Sequence, residues 1–190
     1  VGIRLSQSVS ERRLTEIAAH AEKILPLLGR AERDALGRGN LKFRSAVPVV
    51  VSIATPESSI PFWIQDQGFS ATDQVLRTEG MTWKVFRKTF EPGWIGLGVN
   101  GLDFSPRAHY VVFLQHATEG QQLDSGLLQL DPSAKSHWKV QVAEPGLSAS
   151  HDANLPFETL PDSLNGLVVL QPSHDRRHSA VLASGRVWKT

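Results

Sequence analysis

A run of β-branched residues near the first quarter of the chain sets the strongest constraint on the fold. It consists of Val47, Val49, Val50, Val51 and Ile53. Successive side chains of a strand point to opposite faces, so apolar residues at consecutive positions predict a strand that is buried on both sides. The sequence therefore predicts a central strand, covered by other structure on each face of its sheet.

Most of the aromatic residues lie between residues 60 and 114, which indicates where the core forms. Large rings bury the most apolar area per residue, and a stretch this rich in them is typical of a core. We therefore expect this stretch to hold the fold together. Its rings are those of Phe62, Trp63, Phe69, Trp83, Phe86, Phe90, Trp94, Phe104, Tyr110 and Phe113.

Residues 8–36 carry the strongest helical pattern. Ser8 and Glu11 fit a capping box, and the apolar residues that follow recur at the three- and four-residue spacing of one helix face. Pro26 lacks an amide hydrogen and clashes with the preceding turn, so it predicts a kink or a restart of the helix. A second short helix is expected over residues 30–36. Such an apolar stripe normally packs on the sheet of its own domain, and docking of a partner helix is the alternative.

The rest of the chain is predicted to form strands joined by turns. Glu91-Pro-Gly93 and Asn100-Gly101 are turn signals, the second typical of a hairpin. The strands connected in this way predict an antiparallel meander that closes into a sandwich. Strand patterns occur at residues 61–64, 82–90, 94–99, 108–115, 137–142, 166–171 and 180–188. A polar loop with room for a helical turn is expected over residues 65–74.

These patterns predict a mainly β chain, an antiparallel β-sandwich that is fibronectin III-like in outline. We expect residues 1–43 to form a helical segment packed on the sheet and residues 44–190 to form the sandwich domain. Residues 144–165 are rich in Pro, Ser, Asn and Asp and predict a long irregular loop. A single α+β domain is the alternative.

The composition narrows the classes of function. The 190 residues hold 20 Lys+Arg against 19 Asp+Glu, and no Cys. A nearly neutral chain lacks the electrostatic footprint of nucleic acid binding, and a chain without cysteine has no disulfides or thiolate metal sites. No apolar run approaches the ~18 residues of a membrane span. The compartment stays open, with export to the periplasm or cell exterior favoured over the cytoplasm.

The segment Gly96-Leu-Gly98-Val-Asn-Gly101 matches the G-x-G-x-x-G pattern of dinucleotide sites. That motif requires a helix to begin within it, so that amides at the helix end meet the pyrophosphate. The following Leu102-Asp-Phe-Ser-Pro106 cannot open a helix of useful length. We therefore interpret these glycines as parts of a twisted strand and a hairpin, and expect no cofactor.

The segment His174-Asp-Arg-Arg-His178 resembles the H-E-x-x-H zinc helix with aspartate in place of glutamate. Two histidines four residues apart share a helix face and could chelate a metal. Aspartate is shorter than the usual base, and too few residues are left here for a supporting helix, so a solvated loop is expected. No G-x-S-x-G elbow or P-loop occurs. We therefore expect no catalytic residues and no bound metal. If a metal is bound, His174 and His178 are its candidate ligands.

The tryptophans allow two interpretations. Exposed rings on a sandwich make a platform for carbohydrate or peptide, whereas buried rings form the core. Trp83 and Trp138 lie in predicted strands and are expected in the core. Trp63 and Trp94 lie beside a proline and a glycine, at positions suited to a sheet edge, although burial is favoured for both. Trp63, Trp94 and Arg107 are therefore the candidate ligand-binding residues.

Apolar strand and turn segments spread over residues 15–188 share a pattern with one known family. They are Val49-Val-Val-Ser-Ile-Ala, Pro61-Phe62-Trp63-Ile64 with Gly68-Phe69, Trp83-Lys-Val-Phe86, Leu97-Gly98-Val99-Asn100-Gly101, and Leu160-Pro-Asp-Ser-Leu-Asn-Gly-Leu-Val-Val-Leu-Gln171 followed by Arg186-Val187. Together they resemble the region that precedes the catalytic domain in some bacterial calcineurin-like metallophosphoesterases. That family binds two metals on D-x-H, G-D-x-x-D, G-N-H and G-H-x-H segments, and this sequence contains none of them.

Three hypotheses of function follow. The resemblance implies a non-catalytic accessory module that positions, regulates or extends the substrate surface of a metallophosphoesterase domain in cis. The second hypothesis is a free-standing module that binds carbohydrate or protein through Trp63, Trp94 and Arg107. The third is a metal-dependent hydrolase built on His174 and His178.

Overall fold

A computed structural model describes residues 21–102, 108–135, 137–150 and 154–173 of the chain. In these residues nine strands form two antiparallel sheets, and the helices are short. The predicted fold class, mainly antiparallel β with two sheets and a small helical part, is confirmed. The strands are β1 (Leu41–Ser45), β2 (Val49–Pro56), β3 (Ser70–Thr78), β4 (Met81–Phe90), β5 (Gly93–Leu97), β6 (Val111–His116), β7 (Leu128–Leu130), β8 (Trp138–Val142) and β9 (Val168–Pro172).

The helical part follows the predicted break at Pro26. A 3-10 turn contains this proline, Leu28 is extended, and a new helix begins after Gly29, whose amide donates to Glu32 Oε2 at 2.7 Å. The predicted restart is thus confirmed, whereas residues 8–20 lie outside the described chain. The helices are α1 (Ala21–Ile24), α2 (Arg30–Arg38), α3 (Trp63–Asp66) and α4 (Pro132–Lys135), and the 3-10 turns are Leu25–Leu27, Glu57–Ser59 and Ser125–Leu127.

The large sheet has six strands in the order β3-β4-β2-β6-β9-β8. Strand β2 lies inside it, paired with β4 on one side and β6 on the other, and all eight of its residues are buried. The prediction of a central strand buried on both faces is confirmed. The small sheet has the order β5-β1-β7.

Different parts of the chain cover the two faces of the large sheet. The small sheet packs on the first face, where Phe43 and Leu97 meet Val51 and Leu114 in the main core. The irregular residues 143–150 and 154–167 cover the second face, and their apolar side chains form a second core with side chains of the large sheet. The members of that core include Ala54, Trp83, Phe113 and Val169 of the sheet and Leu147, Phe157 and Leu164 of the covering segment.

Strand β5 departs from the predicted meander. It pairs with β1 in the small sheet and not with β4 or β6, so Asn100-Gly101 does not join two strands of a hairpin. The physical reason is its alternation: Ile95 and Leu97 are buried whereas Trp94 is exposed. Such a strand suits a sheet with one solvated face.

The segment between β2 and β4 also differs from its prediction. Residues predicted as a strand at 61–64 open the single turn α3, because Ile64 N donates to Pro61 O and Gln67 N donates to Trp63 O. The loop predicted over residues 65–74 already contains the start of β3. This strand lies at the sheet edge and leaves most of its polar side chains at least partly exposed, so it lacks an apolar pattern.

The predicted domain boundary between residues 43 and 44 falls inside β1. Phe43 belongs to the main core, so β1 is continuous with the sandwich. The helical residues before it pack in a third, smaller cluster, in which Ile24, Leu28 and Leu36 meet Val99 and Leu102.

Candidate binding surface

The glycines of the G-x-G-x-x-G match serve close packing. A methyl group on Gly98 would lie 2.3 Å from Trp63 Cδ1, and one on Gly96 would lie 2.5 Å from Arg38 O. Both distances are far shorter than a van der Waals contact. The interpretation of these glycines as structural residues therefore has a steric basis in the indole of Trp63 and the end of α2.

Trp63 is a core residue. Its side chain is fully buried, its Nε1 donates to Val99 O at 2.8 Å, and its ring meets Phe69 and Tyr110 edge to face. The favoured expectation of burial is confirmed, and Trp63 as a ligand-binding residue stays a prediction for a side chain that lies in the core. The side chain fits because Gly98, beside it, has none of its own.

Tyr110 belongs to this aromatic cluster and connects it by a hydrogen bond to the backbone of Gly98. Its hydroxyl donates to Gly98 O at 2.7 Å and accepts a longer bond from Asn40 Nδ2 at 3.4 Å. Burial raises the pKa of the Tyr110 hydroxyl well above its usual range, and the bond from Asn40 opposes that shift. These residues stabilise the junction between β5 and the segment before β6.

Trp94 is the exposed tryptophan of the described chain. It is 58% exposed, so the expectation of burial is wrong for this residue and a surface role stays open. Alternation along β5 accounts for the difference, since Ile95 on one side of it enters the core. Arg107, the predicted companion of Trp94, lies outside the described residues.

Trp94 stands at one end of a row of side chains across the small sheet. Strand pairing places Arg44 opposite Trp94, and Gln129 opposite Arg44. Arg44 and Gln129 are exposed as well. Residues directly opposite one another share a face, and neighbouring strands lie about 4.8 Å apart, so the row spans roughly 10 Å. We call this surface, formed by Trp94, Arg44, Gln129 and Lys42, the outer face of the small sheet.

The outer face carries positive charge. Lys42 and Arg44 alternate with the buried Leu41 and Phe43 along β1. Asp131 follows β7 and is the acidic neighbour of Lys42, to whose carbonyl oxygen its amide donates at 2.9 Å. The Ser133 hydroxyl and amide hold the pKa of the Asp131 carboxyl below its usual range, and the charge of Lys42 lowers it further. This carboxyl is therefore ionised at neutral pH.

Arg44, Gln129 and Lys42 are surface residues to which no sequence motif assigns a role. Their signal is the alternation in Leu41-Lys-Phe-Arg-Ser45, which is typical of a half-buried strand. The predicted helical segment ends at residue 43 and so includes part of this strand, which leaves the exposed residues of β1 without a predicted role.

The chemistry of the described residues suits binding. In these parts of the chain no three His, Cys, Asp or Glu side chains are grouped so that they could hold a metal ion. His174 and His178, the predicted metal candidates, lie outside the described residues. Of the helices described, none is long and apolar enough to cross a membrane. Tryptophan and arginine are both enriched among the anchor residues of protein interfaces.

Comparison of the chain with protein-family models, with curated proteins and with solved structures finds no match.

Proposed function

We propose that this chain is a non-catalytic accessory module that docks on another protein domain through the outer face of its small sheet. One observation carries the proposal: Trp94, more than half exposed, is in register with Arg44 and Gln129. Ile95 and Leu97 of the same strand are buried in the core, whereas the Trp94 ring lies outside it.

The energetics favour an anchor role for Trp94. A tryptophan that becomes fully buried from this degree of exposure removes on the order of 100 Å² of apolar surface from water, which stabilises a complex by roughly 2–3 kcal/mol. Arg44 beside it can form two parallel hydrogen bonds with a carboxylate. The partner surface should therefore offer an apolar pocket with a carboxylate next to it.

The resemblance supports a metallophosphoesterase domain in cis as the partner. Four of the segments that carry it overlap β2, the turn α3, β4 and the end of β5, and β5 is the strand that carries Trp94. A module of this kind would position or extend the substrate surface of the enzyme without supplying catalytic groups.

The first experiment reads the coding sequence beyond Thr190 and compares hydroxyl-radical footprints of the 190-residue chain with those of the whole gene product. We expect Trp94 to lose most of its reactivity in the larger protein, because docking covers it. The single Met81, on β4 of the large sheet, is the internal control and should keep its reactivity. Equal oxidation of Trp94 in both proteins would refute docking at this face, and a coding sequence without a phosphoesterase domain would refute the partner.

Substitution provides the second experiment. Trp94→Ala should leave the free energy of unfolding within about 0.5 kcal/mol of wild type, because the ring is exposed, and should weaken docking at least tenfold. Val75→Ala is the matched control, since Val75 is 48% exposed on β3 of the other sheet. If Trp94→Ala leaves docking unchanged but abolishes binding to a glycan array, the ligand of this face is a saccharide and the protein partner is wrong.

A further inference from the structure

Strand β8 forms one edge of the large sheet. The strand order ends at β8, which pairs with β9 on one side, and none of the described strands lies on its other side. An edge strand presents a row of N–H and C=O groups that can pair with a further strand. The open side of β8 is therefore a candidate interaction surface.

The hydrogen bonds at the two ends of β8 show which of its residues face the open side. Ser173 N donates to His137 O at 2.7 Å, and Ala143 N donates to Leu167 O at 2.8 Å. Both of these bonds connect odd-numbered positions of this segment to the β9 side, and in an antiparallel ladder the direction of bonding alternates along the strand. The backbone groups of the even-numbered residues of β8 therefore point away from β9.

Apolar side chains accompany these backbone groups. Val140 is 43% exposed and Val142 is 54% exposed. Both lie on the face of the large sheet that carries the main core, because their partners in β9, Leu170 and Val168, belong to that core. Exposed apolar residues at an edge are unusual, since natural edges are normally protected by charge, by proline or by a covering segment. The edge of β8 therefore suits burial against another strand.

Strand β8 is complementary to a second copy of itself. A two-fold axis at Val140 pairs all five residues of the strand in antiparallel register, with Val140 opposite its own copy and Val142 opposite Trp138 of the other copy. The outward backbone groups of the two strands then form hydrogen-bonded pairs, and the apolar side chains meet on one face. Lys139 lies opposite Gln141, so like charges do not face each other directly.

We infer that this chain forms a homodimer by antiparallel pairing of two β8 strands, which joins the two large sheets into one. The contact is isologous, because each copy contributes the same strand. Two strands of five residues make a small interface, so we expect a Kd between roughly 10 µM and 1 mM. The inference does not depend on the docking proposal, because Trp94 lies on the small sheet.

The first test is sedimentation equilibrium of the full chain from about 5 µM to about 1 mM. The average mass should rise toward twice that of the monomer. Val140→Lys should raise the Kd at least about tenfold, because it places like charges opposite each other across the axis, whereas Trp94→Ala should dimerise like wild type. A wild-type chain that stays monomeric up to about 1 mM overturns the inference, and so does a dimer that Trp94→Ala abolishes.

Disulfide cross-linking tests the register, because the chain contains no cysteine. Hydrogen-bonded residues directly opposite each other have Cα atoms about 5.5 Å apart, within reach of a disulfide, whereas the two copies of Val142 would lie about 14 Å apart. In a glutathione buffer Val140→Cys should therefore form a covalent dimer at least about tenfold faster than Val142→Cys.

A second cross-linking control lies on the opposite edge of the large sheet. Val75 is 48% exposed on β3, and Val75→Cys should form a covalent dimer as slowly as Val142→Cys. Thermal unfolding of each variant identifies any folding defect, and the cysteine variants test the contact even if Val140→Lys fails to fold. Equal cross-linking rates for Val140→Cys and Val142→Cys would refute the pairing of β8 with its copy.

Discussion

The packing of Trp63 against glycine backbone leads to a quantitative prediction for Gly98→Ala. A methyl group at this position would lie 2.3 Å from Trp63 Cδ1, 2.6 Å from Trp63 Nε1 and 2.7 Å from Gly37 Cα. The indole cannot move away freely, since its Nε1 donates to Val99 O and its ring meets Phe69. Both neighbours of the new methyl group therefore resist displacement.

The expected cost of Gly98→Ala lies at the upper end of that for overpacking in a core, about 3 kcal/mol of the free energy of unfolding. For a chain of this length such a loss corresponds to a fall in Tm of about 6–12 °C. Urea denaturation followed by tryptophan fluorescence measures it, with an unchanged dependence on urea as evidence that only stability has altered.

Two further variants test the cause. Gly29→Ala is the matched control, because its methyl group would meet Glu32 Oε2 at an ordinary 3.5 Å, and it should change stability by less than about 1 kcal/mol. In a Trp63→Phe background Gly98→Ala should cost at least about 0.5 kcal/mol less, since the smaller ring leaves room. A loss below about 1 kcal/mol for Gly98→Ala alone, or an equal loss in both backgrounds, would refute the steric argument.

Three other predictions follow from buried or charged side chains. Tyr110 is the single tyrosine, and burial raises its pKa. The stability that it contributes is therefore present below the ordinary tyrosine pKa and is lost as the pH rises toward the folded-state value. Tyrosinate absorbance in an alkaline titration should appear only as the protein unfolds. Hydrogen bonds from Ser133 lower the pKa of Asp131. The contribution of Asp131 to the free energy of unfolding is therefore present above the ordinary aspartate pKa and is lost as the pH falls through the lowered value. Denaturation at several pH values should show that the stability difference between wild type and Asp131→Ala vanishes in acid. Trp83→Phe should destabilise the protein by about 2 kcal/mol in urea denaturation, because Trp83 is buried and the bond from its Nε1 to Thr78 Oγ1 at 3.0 Å is lost.

The presence of a strand could be predicted from the sequence wherever the apolar side chains follow a regular pattern. The doubly apolar runs of β2 and β4 and the alternation of β8 mark their strands correctly. Strand pairing could not be predicted in the same way, because β5 pairs with β1 and β9 pairs with β6 across long stretches of chain. Edge strand β3 was missed because exposed polar residues hide its pattern.

The two tryptophans that looked alike in sequence show why the site was only partly predictable. Trp63 and Trp94 each lie close to a residue that breaks regular structure, and burial was expected for both. Trp63 is buried because Gly98, far along the chain, leaves space for the ring, and this contact has no local signal. Trp94 is exposed because it alternates along β5 with the buried Ile95 and Leu97. This alternation is present in the local sequence Gly93-Trp-Ile-Gly-Leu97.

The position of β9 has a consequence for how the chain is made. Strand β9 lies between β6 and β8, and within the described chain it is the partner that joins β8 to the rest of the sheet. A ribosome releases the residues of β6 and β8 well before Val168–Pro172. Until then β6, buried on both faces in the finished fold, presents an apolar strand edge with no partner, and such edges promote aggregation. The nascent chain is therefore most dependent on chaperones between the synthesis of β6 and the emergence of β9, and a ribosomal stall in that interval should produce insoluble product.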